Sequence, residues 1–347
     1  MNKKKLSKKQ IILIVACSVL AVILVALSAL FIWAKDILGY INRTNENEQT
    51  LSPEALESIL QETDPTDPSF TGPVYLPEEV TLPTEPAETV PVGDNIINVL
   101  LVGQDRREGQ VRQRSDAMIL CTVNKSEKTL TMTSFLRDVW VRIPGYYDER
   151  LNVPYAIGGF PLLNETLEYN FGVSADYNIE VDFSGFENAV NLVGGVDISL
   201  TSAEAALLNK NHTDWGLTSG MNHLTGKQAL EYSRIRKLDN DFGRTNRQRT
   251  VLTALMSSVS SLGTSQLLDL AKGVLPMITT DMSDADILSL TMELAPLLPQ
   301  LKIVSNRVPL EGAYQFASIS GKSVIVISPE NMEKTVASLK TLMDENS

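Results

Sequence analysis

The chain has 347 residues, with 42 acidic side chains against 30 basic ones and a formal net charge of −12. That length allows one large domain with a sizeable core, and the lack of a global basic excess points away from nucleic acid. Only Cys17 and Cys121 are present, one in an apolar run and one in a core-type strand, so a disulfide framework is not expected.

The acidity is uneven along the chain. Residues 1–10 form a short cytoplasmic tail carrying Lys3, Lys4, Lys5, Lys8 and Lys9, and the 24 residues 11–34 contain no charge. As a helix that run extends about 36 Å, more than a hydrocarbon core of roughly 30 Å. The lysines hold the N-terminus in the cytoplasm and put the rest of the chain outside. A cleaved signal peptide is the rival reading, but the run is long for one and no clean small-residue cleavage site follows. The expectation is a single transmembrane helix in the cell membrane with an extracytoplasmic C-terminal domain.

Residues 35–94 read as an acidic, proline-rich stalk. Positions 44–94 hold 12 acids and no Lys or Arg, and eight of the sixteen prolines fall in this region. Such a segment buries little apolar surface and repels itself, so it should be extended.

Residues 95–347 form the remaining domain. Strands are expected at 96–103, 117–123 and 129–135, with Asn124 to Glu127 as a hairpin turn. Helices are expected at 161–170 and 183–193, where Gly194-Gly195 stops the second before a strand at 196–200. Further helices are read at 226–236, 245–262, 283–297 and 330–343, with strands near 302–308 and 323–327. Hairpin-linked strands followed by alternating elements predict an α/β fold, an α-β-α sandwich on a mixed β-sheet.

Two clusters carry chemistry. Asp105 follows the first strand and Asp116 opens the second, so both carboxylates emerge at one sheet edge if those strands are neighbours. Two hard oxygen ligands there suit Mg²⁺, with ordinary turn chemistry as the competing reading. Arginine supplies the other cluster: Arg234, Arg236, Arg244, Arg247 and Arg249 fall within sixteen residues, and Arg106, Arg107, Arg112 and Arg114 surround the aspartates. Arg244 and Gln248 share a helix face near its N-terminus, where backbone N–H groups favour anions. Guanidinium forks match phosphate oxygens, although a solvated basic face paired with Asp239 and Asp241 is the alternative. Arg137 follows the third strand at the same edge. No phosphate-cradling glycine loop or serine elbow is present. His212 and His223, both expected in a loop, read as surface residues rather than zinc ligands or catalysts.

Taken in order, these segments resemble the LytR-CpsA-Psr family of cell-wall phosphotransferases. The matching stretches include Asn98-Val-Leu-Leu-Val-Gly-Gln-Asp105, Arg114-Ser-Asp116, Ser134-Phe-Leu-Arg-Asp138, Ile143-Pro-Gly145 and Arg150-Leu-Asn152 with Ala156 to Gly159. They continue through Leu192-Val-Gly-Gly-Val-Asp197, Leu224-Thr-Gly-Lys-Gln-Ala-Leu230, Tyr232-Ser-Arg-Ile-Arg236, Asp239-Asn-Asp-Phe-Gly-Arg244 and Arg247-Gln248, so the core motifs span 95–262. Leu136, Ala117 and Arg150 stand where the family usually has Pro, Thr and Lys. The resemblance implies transfer of a glycopolymer, such as wall teichoic acid or capsule, from an undecaprenyl-pyrophosphate carrier onto peptidoglycan. It implies Asp105 and Asp116 as ligands of Mg²⁺, with Mn²⁺ as the alternative, and a tunnel for the lipid tail. Arg137, Arg234, Arg236, Arg244 and Gln248 would contact the pyrophosphate, and Asp241 would be an acidic site residue. A non-catalytic sensor or scaffold binding polyprenyl phosphates, or a hydrolase of the same lipid, is the other class of function.

Overall fold

The computed structural model describes residues 38–44, 54, 57, 72–90, 93–104, 112–235, 238, 241–260 and 262–343. The expected tail 1–10 and the expected membrane helix 11–34 lie outside them, as do Cys17, Asp105 and Arg236. The described parts of the expected stalk correct that reading: Asn42–Arg43 and Val74–Tyr75 pair in sheets, and Val80, Leu82 and Val90 are buried in the cores. Among the described residues no helix is long and apolar enough to cross a membrane.

The chain runs through β1 (Asn42–Arg43), β2 (Val74–Tyr75), β3 (Ile96–Gln104), β4 (Ser115–Asn124), β5 (Thr129–Phe135), β6 (Trp140–Val141) and β7 (Glu149–Arg150). There follow α1 (Val153–Phe171), β8 (Tyr177–Asp182), α2 (Phe183–Leu192), β9 (Val196–Leu200), α3 (Ser202–Asn211), β10 (Gly220–Leu224), α4 (Gly226–Ser233) and α5 (Asp241–Ser260). The last elements are α6 (Thr264–Val274), β11 (Ile278–Thr280), α7 (Asp284–Leu294), β12 (Lys302–Val308), β13 (Gln315–Ile319), β14 (Lys322–Val326) and α8 (Pro329–Met343).

Seven strands form the central sheet in the order β1-β11-β8-β3-β4-β5-β12. β8, β3, β5 and β12 point one way, and β4 between β3 and β5 points the other. The sheet is therefore mixed, as the hairpin-linked strands predicted. Side chains alternate across it. Leu100, Val102, Met118 and Leu120 pack with Leu163, Leu167 and Phe171 of α1 and Met332 and Leu339 of α8. Ile97, Val99, Ile119 and Cys121 face the other way, toward Leu252 and Met256 of α5 and Leu290 and Leu294 of α7. Helices on both faces make the expected α-β-α sandwich. Burial pushes the Cys121 thiol up to about 12, so it is an inert core residue.

Several boundaries differ from the sequence reading. α1 begins at Val153 rather than at 161, and it is broken at Gly159 (φ +64°, ψ −151°) just before Pro161. Proline has no N–H for the carbonyl four residues back, and Arg112 takes over that duty. Its Nη2 donates to the Ile157 carbonyl at 3.1 Å and its Nε to Ala156 at 3.3 Å. Arg112 thus belongs to the fold rather than to the anion cluster. β8, α3, β10 and α6 were not foreseen, although Tyr177, Ile179 and Val181 alternate at strand period and Leu267, Leu270, Ala271 and Val274 recur at helical spacing.

The Leu224-Thr-Gly motif acquires a physical reason. Thr225 caps α4 and Gln228 closes the capping box. Gly226 donates its N–H to Asn191 Oδ1 at 2.8 Å. A Cβ there would lie 2.0 Å from the Glu187 carbonyl oxygen of α2. Only glycine lets α4 approach α2 so closely. Gly226→Ala should therefore destabilise the protein by roughly 1–3 kcal/mol of overpacking, read as a lowered midpoint in chemical denaturation.

Candidate active site

β3, β5 and β8 all end at one edge of the sheet, the place where open α/β sheets gather their ligand-binding loops. Gln104 ends β3 and pairs with Ser115 across a register shift, so Asp116 stands beside the end of β3. Arg137 follows β5, and its Nη1 donates to Asp116 Oδ1 at 2.8 Å. The expected juxtaposition of Asp116 and Arg137 is present. The partner carboxylate expected here, Asp105, lies outside the described residues.

Three helices bring in the rest. α2 starts directly after β8, capped by Asp182, which accepts from the Gly185 N–H at 2.8 Å. Arg234 sits at the C-terminus of α4, with its guanidinium 4.4 Å from the centre of the Phe183 ring. Such a cation–π contact fixes the charge by about 0.5–2 kcal/mol. Arg244 and Gln248 lie one turn apart on α5. With Asp116, Phe183, Ser233 and Arg234 they enclose a cavity of about 40 Å³ floored by Gly103 and Ala117. Both of these residues are small, and a Cβ on Gly103 would crowd that of Ala117 at 3.3 Å. The notch admits about three water-sized groups, so a larger anion would lie across its mouth with some oxygens inside. Arg244 is only 3% exposed, which strengthens its field at the notch.

A ladder of alternating charge runs inward from this site. Arg137 Nε lies 3.5 Å from Asp138, and Asp138 lies 3.6 Å from Arg150 Nη1. Arg150 Nε lies 3.7 Å from Glu149, which is ion-paired to Lys322. Arg150 has no exposed surface and Glu149 only 2%.

The structure divides the arginines that the sequence grouped. Arg137, Arg234 and Arg244, with Gln248, converge on the site. Arg247 turns away: its Nε donates to Glu204 Oε1 at 2.7 Å and its Nη1 to the Ile235 carbonyl at 3.0 Å. Burial works to raise the Glu204 pKa, but the Thr201 N–H and Arg247 outweigh it and hold the carboxyl below its usual range. Arg249 points to the Asn306 carbonyl at 3.3 Å, and burial lowers its pKa. Arg236 lies outside the described residues, and Asp241 is the first residue of α5. His212 lies, as expected, in the loop that leaves α3, where it is the C-cap and stacks on Trp215, whereas His223 is not a loop residue but lies in β10 beside Asp197 at 2.7 Å. The His223 side chain is 62% exposed, in keeping with a surface role. Phe183 and Ser233 were missed. Neither has a sequence signature, since each reaches the site only through the packing of α2 against α4.

Residues 78–341 match the model of the LytR_cpsA_psr family. The chain is 38% identical over 176 residues to the polyisoprenyl-teichoic acid–peptidoglycan teichoic acid transferase TagT of Bacillus subtilis, covering 49% of this chain and 55% of that protein. The chain thus spans about half the length of that relative. It is 28% identical over 257 residues to the regulatory protein MsrR of Staphylococcus aureus, covering 73% of this chain and 76% of MsrR. The structure of TagT with bound octaprenyl pyrophosphate lipid superposes with a TM-score of 0.57 at 26% identity, covering 76% of this chain and 98% of that one.

Removing one rung of a buried ladder strands its neighbours. Arg150→Met, which keeps the volume and deletes the charge, should lower stability by about 3–5 kcal/mol, measured by chemical denaturation. A loss below about 1 kcal/mol would show that the ladder is not a structural requirement.

Proposed function

Because the chain belongs to the LytR_cpsA_psr family, we propose that it is a transferase that moves a cell-wall glycopolymer from an undecaprenyl-pyrophosphate carrier onto peptidoglycan, leaving a phosphodiester link. The observation that carries this reading is the layout of one face of α5. Arg244, Gln248, Leu252 and Met256 follow each other at four-residue spacing, so cationic and polar contacts at the notch give way to apolar ones along a single stripe. Across from it, Gly103 of β3 is followed by Leu101 and Val99 on the same sheet face. Several of these apolar residues, Leu101, Ile179, Leu252, Met256 and Leu290 among them, are only partly buried. A ligand with an anionic head and a long apolar tail matches that order, and octaprenyl pyrophosphate, bound by the related TagT structure, is such a ligand.

Phosphoryl transfer asks mainly for positioning and charge neutralisation. Arg234 and Arg244 would grip phosphate oxygens, with Gln248 as a neutral donor beside them. Arg137, oriented by Asp116 and Asp138, would stabilise charge on the departing lipid phosphate. Arg236 would complete the set. Asp241, at the start of α5, is our candidate to take or steer the proton of the attacking peptidoglycan hydroxyl. Asp116 is a hard-oxygen donor at the notch, which fits Mg²⁺ or Mn²⁺ held jointly with Asp105. Such an ion would neutralise pyrophosphate charge. The energy of transfer resides in the lipid pyrophosphate, so no nucleotide is needed. That suits an extracytoplasmic domain held by residues 11–34 and a stalk.

The test is incubation of the full chain in detergent with a lipid-linked oligosaccharide, peptidoglycan and Mg²⁺. Sugar should become covalently attached to peptidoglycan. Release of free sugar phosphate would mark a hydrolase, and binding without turnover a scaffold. Arg244→Ala should lower transfer at least 100-fold, about 2.7 kcal/mol of lost charge stabilisation. Wild-type transfer by a folded Arg244→Ala protein would sink the assignment. Excess chelator should stop transfer, with Mg²⁺ or Mn²⁺ restoring it; transfer unaffected by chelation would remove the metal from the reading.

A further inference from the structure

A second cavity lies away from the notch. It is an open cleft of about 800 Å³ lined by Trp140, Arg142, Tyr146, Tyr147, Tyr169 and Lys322 among others, within the size range of ligand clefts. The Ile143-Pro-Gly145 motif builds one wall. Pro144 and Gly145 (φ +74°) occupy the middle of a turn closed by the Tyr146 N–H and the Ile143 carbonyl at 3.0 Å. That is the type II arrangement, with proline second and glycine third. The turn presents Tyr146 and Tyr147 at 50% and 46% exposure. Two adjacent tyrosines left in water beside a cleft are not explained by the core.

The polar groups narrow the ligand class. Arg142 is paired with Asp148 at 3.1 Å, and Lys322 with Glu149. The cleft's cations already have partners, so a polyanion gains little there. Aromatic faces instead suit the C–H faces of sugar rings, and the Tyr hydroxyls suit their O–H groups. Burial and the nearby Glu149 carboxylate push the Tyr147 phenol up to about 12, so it remains a neutral donor. Trp140 is 3% exposed and packs with Val80, Leu82 and Ile319, so it backs the cleft rather than reaching into it.

The cleft is also joined to the notch. Trp140 pairs with Arg150 across β6 and β7, and Lys322 and Glu149 are the inner rungs of the ladder that ends at Arg137 and Asp116. We propose that this cleft binds a neutral glycan through its tyrosines and holds the acceptor strand of the transfer. The acceptor role rests on the transferase reading; glycan binding itself does not.

The probe is the tetramer of N-acetylglucosamine, titrated into the full chain in detergent and followed by NMR or calorimetry. Saturable binding is expected, weakened at least tenfold by the double variant Tyr146→Ala/Tyr147→Ala, whose side chains are surface groups. The same variant should bind octaprenyl pyrophosphate as the parent does. In the transfer assay it should raise KM for peptidoglycan at least tenfold with kcat within about twofold. Absence of saturable tetramer binding, or equal affinity in the double variant, overturns the cleft. Tetramer binding without transfer would leave the cleft standing and defeat the transferase reading instead.

Discussion

A buried guanidinium survives in a fold only if opposite charge and hydrogen bonds follow it inward. Arg150, with no exposed surface, imposes that condition on its surroundings. Asp138 answers it from the end of β5 and Glu149 from its own strand, while Lys322 answers Glu149. The result ties the turn after β5 and the β6–β7 hairpin that follows it to the start of β14, far along the chain. Arg137 is the outermost cation of this ladder, so its guanidinium is aimed by Asp138 as well as by Asp116. An Arg at 150 suits this setting, because a fork can address two carboxylates that a point charge reaches less well.

The same region shows what several short motifs do in the fold. Asp138 and Arg150 are rungs. Ile143-Pro-Gly145 is a turn that carries two tyrosines. Leu224-Thr-Gly226 sets how closely α4 approaches α2, and hence where Arg234 stands against Phe183. Precise placement of an anion site needs such support, since a guanidinium displaced by 1 Å loses much of its effect.

Much of this was legible in the sequence. The strands 96–103, 117–123 and 129–135 announce themselves by continuous apolar runs, and the register of β3 on β4 then brings Asp116 to the edge where Arg137 emerges. The i, i+4 spacing of Arg244 and Gln248 placed them on one face, where the structure has them. Clustering, by contrast, misled for Arg112, Arg247 and Arg249. Arginine density does not reveal direction, and these three turn toward a carboxylate or backbone carbonyls. Phe183 illustrates the other failure. Nothing in Asp182-Phe183-Ser184 distinguishes a core aromatic from one beneath an arginine until α2 is docked on α4.

The charge balance of the site resolves an apparent conflict with the chain's formal charge of −12. Charge acts over a Debye length of about 8 Å in physiological salt, so acids beyond that distance do little at the notch. Locally, the ladder from Lys322 to Asp116 alternates sign and cancels pair by pair. Arg137 therefore adds direction rather than net charge. The positive excess among the described lining residues comes from Arg234 and Arg244, one set against an aromatic face and the other almost wholly buried. Neither setting screens charge as water does. A diphosphate across the notch mouth would bring the charge that balances them, and it would do so at the N-terminal end of α5, where the helix dipole favours anions. An acidic protein can thus present a strong anion site, provided its cations are few, buried and aimed.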